Sequence, residues 1–174
     1  LDRVGRSMAV RLVTDSSSDL SADLTNQWNV AVVPLYVNFF NRGAGSGLGS
    51  TGVIETLKDG VDIGPDEFYR RLAISDPVPS TSQPSIQDFL EVYRDITESG
   101  DDVISIHISS KLSGTCNSAV QAKERLGGNA KIEVVDSGLA SMGVGMAVLA
   151  GARAIKKGSD FNTVLQEVWE AVSE

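Results

Sequence analysis

Small hydroxyl side chains gather in this sequence where apolar runs give way to helix-forming ones. Residues 109 to 119 read SSKLSGTCNSA, with four serines, a threonine and the only cysteine. Thr14-Asp15-Ser16 and Asp136-Ser137 close two other apolar runs, and Ser80-Thr81-Ser82-Gln83 enters a helical pattern through Pro84. Such groups could act as a nucleophile, cradle a phosphate or grip another anion. Backbone N–H groups and helix dipoles favour a negative ligand by about 0.3–1 kcal/mol per helix end. Capping alone also selects Ser, Thr and Asp between a strand and a helix. For one loop taken alone, capping is explanation enough; three alike, with the Thr-Ser-Gln-Pro turn beside them, leave an anion site equally open.

The enzymatic alternatives lack parts. A serine hydrolase would need Gly-x-Ser-x-Gly, which is absent, and a histidine base. The single histidine, His107, falls inside a strand pattern, where a satisfied core role is the commoner outcome. Lys111 stands in no Gly-Lys-Ser/Thr phosphate loop. Cys116 has no evident base partner, and one cysteine excludes an internal disulfide framework. Asp15, Asp19 and Asp136 make a weak metal signal, since Asp19 suits a helix cap. No catalytic residue, metal or cofactor is therefore expected.

Bulk composition narrows the partners. The 174 residues carry 15 Lys and Arg against 23 Asp and Glu, a formal charge of −8, with no basic cluster to meet nucleic acid. No apolar run reaches membrane-spanning length, so stable membrane insertion is not expected. The opening LDRVGRSM lacks a signal-peptide core, and the expectation is a soluble cytoplasmic protein.

Hydrophobic periodicity supplies the elements that must position the loops. Strands are expected at Met8–Thr14, Val30–Phe40, Val103–Ile108 and Lys131–Val135, with Pro34 marking an edge or a bend in the second. Helices are expected from the Asp15–Asp19 segment to about Trp28, over Pro65–Leu72, from Pro84 to near Gly100, over Gly114–Leu126 and over Leu139–Lys157. A last helix, capped by Asp160, runs to the end of the chain. Residues 41–52, with five glycines, read as a flexible insertion, Lys58-Asp59-Gly60 as a tight hairpin turn, and Ser75–Pro84 as irregular. Strands alternating with helices predict an α/β fold with a mostly parallel sheet. In such a sheet the three polar loops share one edge, where ligands bind.

The motifs also resemble a family. Val13-Thr14-Asp15-Ser16 with Asp19-Leu20, Val33-Pro34-Leu35, Asp59-Gly60, Thr81-Ser82-Gln83-Pro84-Ser85, Ile108-Ser109-Ser110-x-Leu112-Ser113-Gly114-Thr115 and Val135-Asp136-Ser137 occur in the order seen in DegV proteins. These are bacterial lipid binders that include the fatty-acid-binding subunits of fatty acid kinase. The resemblance implies a three-layer α/β/α domain over residues 8–158, after a tail at 1–7. It also implies a terminal helix at 159–174 leading toward a second domain that carries a histidine and is missing here. It implies a long-chain fatty acid as ligand, no cofactor, and a non-catalytic subunit that presents the acyl carboxylate to a separate ATP-dependent kinase. Thr81, Ser82 and Ser113 would donate to the carboxylate, with Ser110, Gly114 and Thr115 as neighbours. Val33, Leu35, Val37, Phe39, Phe68 and Phe89 are candidates for a tunnel wall, although ordinary core packing is the better reading for most. The alternative is a phosphotransfer or kinase-like enzyme of a related α/β/α fold.

Overall fold

The structure, a computed structural model, describes residues 9–42, 51–128 and 131–173. The elements begin with β1 (Val10–Asp15), α1 (Ala22–Gln27), β2 (Ala31–Val33), β3 (Tyr36–Arg42), β4 (Thr51–Lys58), α2 (Pro65–Leu72) and β5 (Ser80–Ser82). They continue with α3 (Ile86–Glu98), β6 (Asp102–His107), α4 (Thr115–Leu126), β7 (Ile132–Asp136), α5 (Met142–Lys156) and α6 (Phe161–Ser173). Two compact units result. One joins the residues up to Val33 to those from Ser85 onward, and the other is Pro34–Pro84.

The first unit is a three-layer α/β/α sandwich. Its four strands are parallel, in the order β2-β1-β6-β7. Alternate side chains of a strand point to opposite faces, and the core divides accordingly. Leu12, Ile104 and Ile106 pack with Val144, Val148, Val164 and Val168 of α5 and α6. Val13, Val33 and Val103 pack with Phe89, Tyr93, Ala119 and Ala122 of α3 and α4. Helix α3 starts two residues later than Pro84 suggests: Ser85 is its N-cap and forms a capping box with Asp88. Helix α4 has Gly114 as its N-cap, and Asp160 accepts from the Thr163 amide at 2.9 Å before α6.

The 30–40 run differs from expectation. It is two strands, because Pro34 and Leu35 interrupt it: β2 is an edge of the parallel sheet, whereas β3 lies in the second unit. That unit is an antiparallel sheet, ordered β4-β3-β5, over a small core of Val37, Phe39 and Ile63 with Leu57 and Phe68. The 75–84 segment is not wholly irregular. Ser80–Ser82, free of proline, pairs with β3 as β5. The Lys58-Asp59-Gly60 turn, with Gly60 at φ 74°, leads through a bridge at Ile63 into α2 and makes no hairpin. Of the expected insertion, residues 43–50 lie outside the described residues, while Asn41 and Arg42 pair with Gly52 and Thr51.

Small residues let α5 approach its neighbours closely. A Cβ on Gly145 would fall 2.6 Å from the Ser18 carbonyl oxygen. Alanine gains about 1 kcal/mol over glycine in helix propensity, but a clash with backbone cannot be relieved by a rotamer change and costs about 1–3 kcal/mol. Gly145→Ala is therefore expected to lower the midpoint of urea unfolding; a raised midpoint would show that this contact is looser than described.

Candidate functional site

Strands β1, β6 and β7 end side by side, with Thr14 paired to Ile106 and His107 to Asp136. Parallel pairing therefore brings Asp15, His107 and Asp136 to one edge of the first unit. Asp15 is fully buried, and both of its oxygens are occupied. Oδ1 accepts from the Ser17 amide at 3.0 Å and from the Ser17 hydroxyl, and Oδ2 from His107 Nδ1 at 2.8 Å and the Ile108 amide at 3.3 Å. Burial alone would raise this carboxyl's pKa; the hydrogen bonds from His107, Ser17 and Ile108 outweigh it and hold the pKa below the ordinary value.

Behind Asp15 the polar chain continues inward. Tyr93 donates its hydroxyl to Ser105 Oγ at 2.8 Å, and Ser105 Oγ lies 2.6 Å from His107 Nε2. One arrangement of hydrogens satisfies every member: Tyr93 to Ser105, Ser105 to His107 Nε2, and His107 Nδ1–H to Asp15. The Phe89 ring meets the imidazole edge-on at 5.0 Å. His107 is thus a satisfied core histidine, as expected. Cys116 is buried too, with Sγ 3.5 Å from the Ile108 carbonyl; burial, then the charges of Asp136 and Asp15, push its thiol up to about 12. It stays protonated at neutral pH and is a poor nucleophile.

The outer layer of the edge is made of hydroxyls and amides. Asp136 Oδ1 accepts from the amides of Ser110 at 3.0 Å and Gly138 at 3.1 Å. Partial burial raises its pKa, but hydrogen bonds from Ser110 and Gly138 and the Lys111 charge bring it below the ordinary value. Ser110 is exposed, whereas Ser113 and Gly114 are half-buried. Ser113 Oγ accepts from the Thr115 amide at 3.3 Å and shares a 2.8 Å hydrogen bond with the Thr115 hydroxyl. Thr115 is fully buried, so its side chain stands behind Ser113.

Thr81 and Ser82 belong to the second unit, both exposed on β5, an edge strand. Ser82 Oγ accepts from Asn38 Nδ2 at 2.7 Å, and Asn38 Oδ1 accepts from the Thr56 hydroxyl at 2.8 Å. The structure therefore brings Ser110, Ser113, Gly114 and Thr115 together at the start of α4, and Thr81 and Ser82 together on β5. Reading the sequence overlooked Asn38, although a polar residue inside the apolar run VVPLYVNFF was its signal. It also overlooked Ser141, which precedes α5 at φ 56° and ψ −142° and donates its hydroxyl to Asp19. Asp19 itself ends a one-turn helix at Ser16–Ser18 at φ 55°; the N-cap of α1 is Ser21.

Known proteins share this fold. The family described as "Uncharacterised protein, DegV family" matches residues 9–174. The chain belongs to the DegV family. A DegV domain-containing protein of Caldanaerobacter subterraneus is 37% identical over 163 residues, covering 94% of this chain and 53% of that protein. One from Mycobacterium tuberculosis is 38% identical over 168 residues, covering 95% and 52%. The chain thus spans about half the length of the curated relatives it matches. Among solved structures, a DegV family protein of Thermus thermophilus described by its fatty acid binding superposes with a TM-score of 0.77 at 39% identity, covering 96% of this chain and 54% of its own. A stearic acid-binding protein of Eubacterium ventriosum gives 0.79 at 29% identity, covering 91% and 52%.

In this DegV chain the depressed pKa of Asp15 sets a pH dependence. A folded value below the ordinary 3.8 means that the stabilisation is complete above the unfolded value and is lost as pH falls through the folded one. Asp15→Asn is expected to lose about 3 kcal/mol at neutral pH, because it weakens a buried hydrogen-bonded pair. It should also show a shallower decline in stability below about pH 4 than the wild type. Urea titrations across that range test both; parallel acid limbs would contradict the assignment.

Proposed function

We propose that this chain binds a long-chain fatty acid and presents its carboxylate to a separate ATP-dependent fatty acid kinase, performing no chemistry itself. The observation that carries the reading is the likeness to the Thermus thermophilus fatty-acid-binding protein, at 39% identity over 96% of this chain. The chemistry of the polar edge supports it. The groups best able to catalyse are engaged: Asp15 by four donors, His107 at both ring nitrogens, Cys116 by burial. Hydroxyls and backbone N–H groups remain, and these suit a singly charged carboxylate.

In this reading Thr81, Ser82 and Ser113 donate to the carboxylate. Ser110 and Gly114 lie beside it, and Thr115 acts by holding Ser113. The acyl chain supplies most of the affinity, since each buried methylene contributes about 0.8 kcal/mol, while the headgroup fixes orientation. Among the described residues no helix is long and apolar enough to cross a membrane. The kinase needs ATP, so the reading places the handover in the cytoplasm, with this chain contributing no metal, cofactor or nucleic-acid site of its own.

Extraction of the protein expressed from its complete reading frame, followed by mass spectrometry, is expected to release long-chain fatty acid in stoichiometric amount. A preparation that holds no lipid and passes none to a kinase would contradict the reading. The double variant Thr81→Ala with Ser113→Ala should stay folded, with a lowered melting temperature because the buried Thr115 loses its Ser113 partner, and should weaken fatty acid binding about tenfold or more; unchanged affinity would remove these residues from the site.

A further inference from the structure

The donor row across the second unit has a direction. Asn38 sits on β3 between the core residues Val37 and Phe39, and is itself buried. An amide there is costly unless hydrogen-bonded, and asparagine is depleted in strands. Its partners stand on both neighbouring strands: Thr56 directly opposite on β4, and Ser82 one diagonal step away on β5. Thr56 gives its hydroxyl hydrogen to Asn38 Oδ1, and Asn38 Nδ2 gives a hydrogen to Ser82 Oγ. Ser82 already accepts within the protein, and its single hydrogen is left to point outward.

We propose that Asn38 and Thr56 are positioning residues that make Ser82 a hydrogen-bond donor and so select an ionised carboxylate at that point. The role rests on the fatty-acid reading given above. A carboxylate only accepts hydrogen bonds, and a hydroxyl that donates to an anion makes a bond about twice as strong as one to a neutral group. Thr56 matters because it fills Asn38 Oδ1. Without it the amide is free to turn its oxygen toward Ser82, which draws the serine hydrogen inward and leaves the ligand facing an acceptor. Thr56 is exposed, so Thr56→Val removes the hydroxyl without opening a core cavity, and the melting temperature reads what the loss of the Asn38 partner costs.

The test uses the protein from its complete reading frame, with palmitate and methyl palmitate as probes. Affinities are measured for wild type, Thr56→Val, Asn38→Ala, Ser82→Ala and the pair Thr56→Val with Ser82→Ala. Melting temperatures are recorded alongside. Thr56→Val and Asn38→Ala are expected to weaken palmitate about threefold to tenfold while changing methyl palmitate much less. In the Ser82→Ala background, Thr56→Val should have no further effect. Equal losses for acid and ester, or the full Thr56→Val loss persisting without Ser82, would overturn the positioning role and leave the fatty-acid reading standing. Unchanged palmitate affinity in Ser82→Ala, or no palmitate binding by the wild type, would remove that reading at Ser82 and this role with it.

Discussion

A carboxylate taken wholly out of water survives ionised only where donors replace its hydration. Asp15 is that carboxylate, and its donors come from two different loops. Ser17 follows β1, and Ile108 follows β6 beyond His107. Meeting this requirement fixes the directions in which both chains leave the sheet. The same histidine passes the constraint through Ser105 to Tyr93, which ties α3 to the sheet. Ser137 extends it to β7 by donating to the His107 carbonyl at 2.7 Å. One buried charge thereby organises three strand ends and a helix.

That division of labour separates what holds the edge from what can face a ligand. Asp15, His107 and Cys116 are turned inward and engaged. Small hydroxyls and the amides at the start of α4 lie outside them, held by Asp136 and by the Ser113–Thr115 pair. A rigid set of neutral donors binds an anion without competing for its proton. The close approach of α5, possible at Gly145 because a side chain would meet the Ser18 carbonyl, ties the helix to the turn that follows Asp15.

Much of this was legible in residue order, for reasons that particular elements show. The runs at 103–108 and 131–135 are short and β-branched, and they lie within a residue of β6 and β7. Pro65 gave α2 its first residue, and Asp160 marked the start of α6. The division at Pro34 was only half legible, because proline announces a break and not which sheet the next strand joins. Strand β5 was hidden because three residues pair through backbone and leave no side-chain pattern. The hydroxyl loops were visible as a class, yet their geometry was not. Asn38 reaches partners 18 and 44 residues away, and the Asp15–His107 pair spans 92. Local spacing carries no trace of such contacts. Ser141 was hidden for a different reason: its left-handed backbone is one that sequence pattern assigns to glycine.

Whether neutral donors hold an ionised acyl carboxylate can be read from the ligand itself, by carbon-13 NMR of palmitate labelled at its carboxyl carbon and bound to the protein, followed through an acid titration. Donors directed at the charged form lower the pKa of the group they hold. A distinct bound resonance is expected, staying in the ionised position well below the pH at which the free acid titrates. A bound resonance that titrates like the free acid, or no bound resonance at all, would contradict an ionised, donor-held carboxylate.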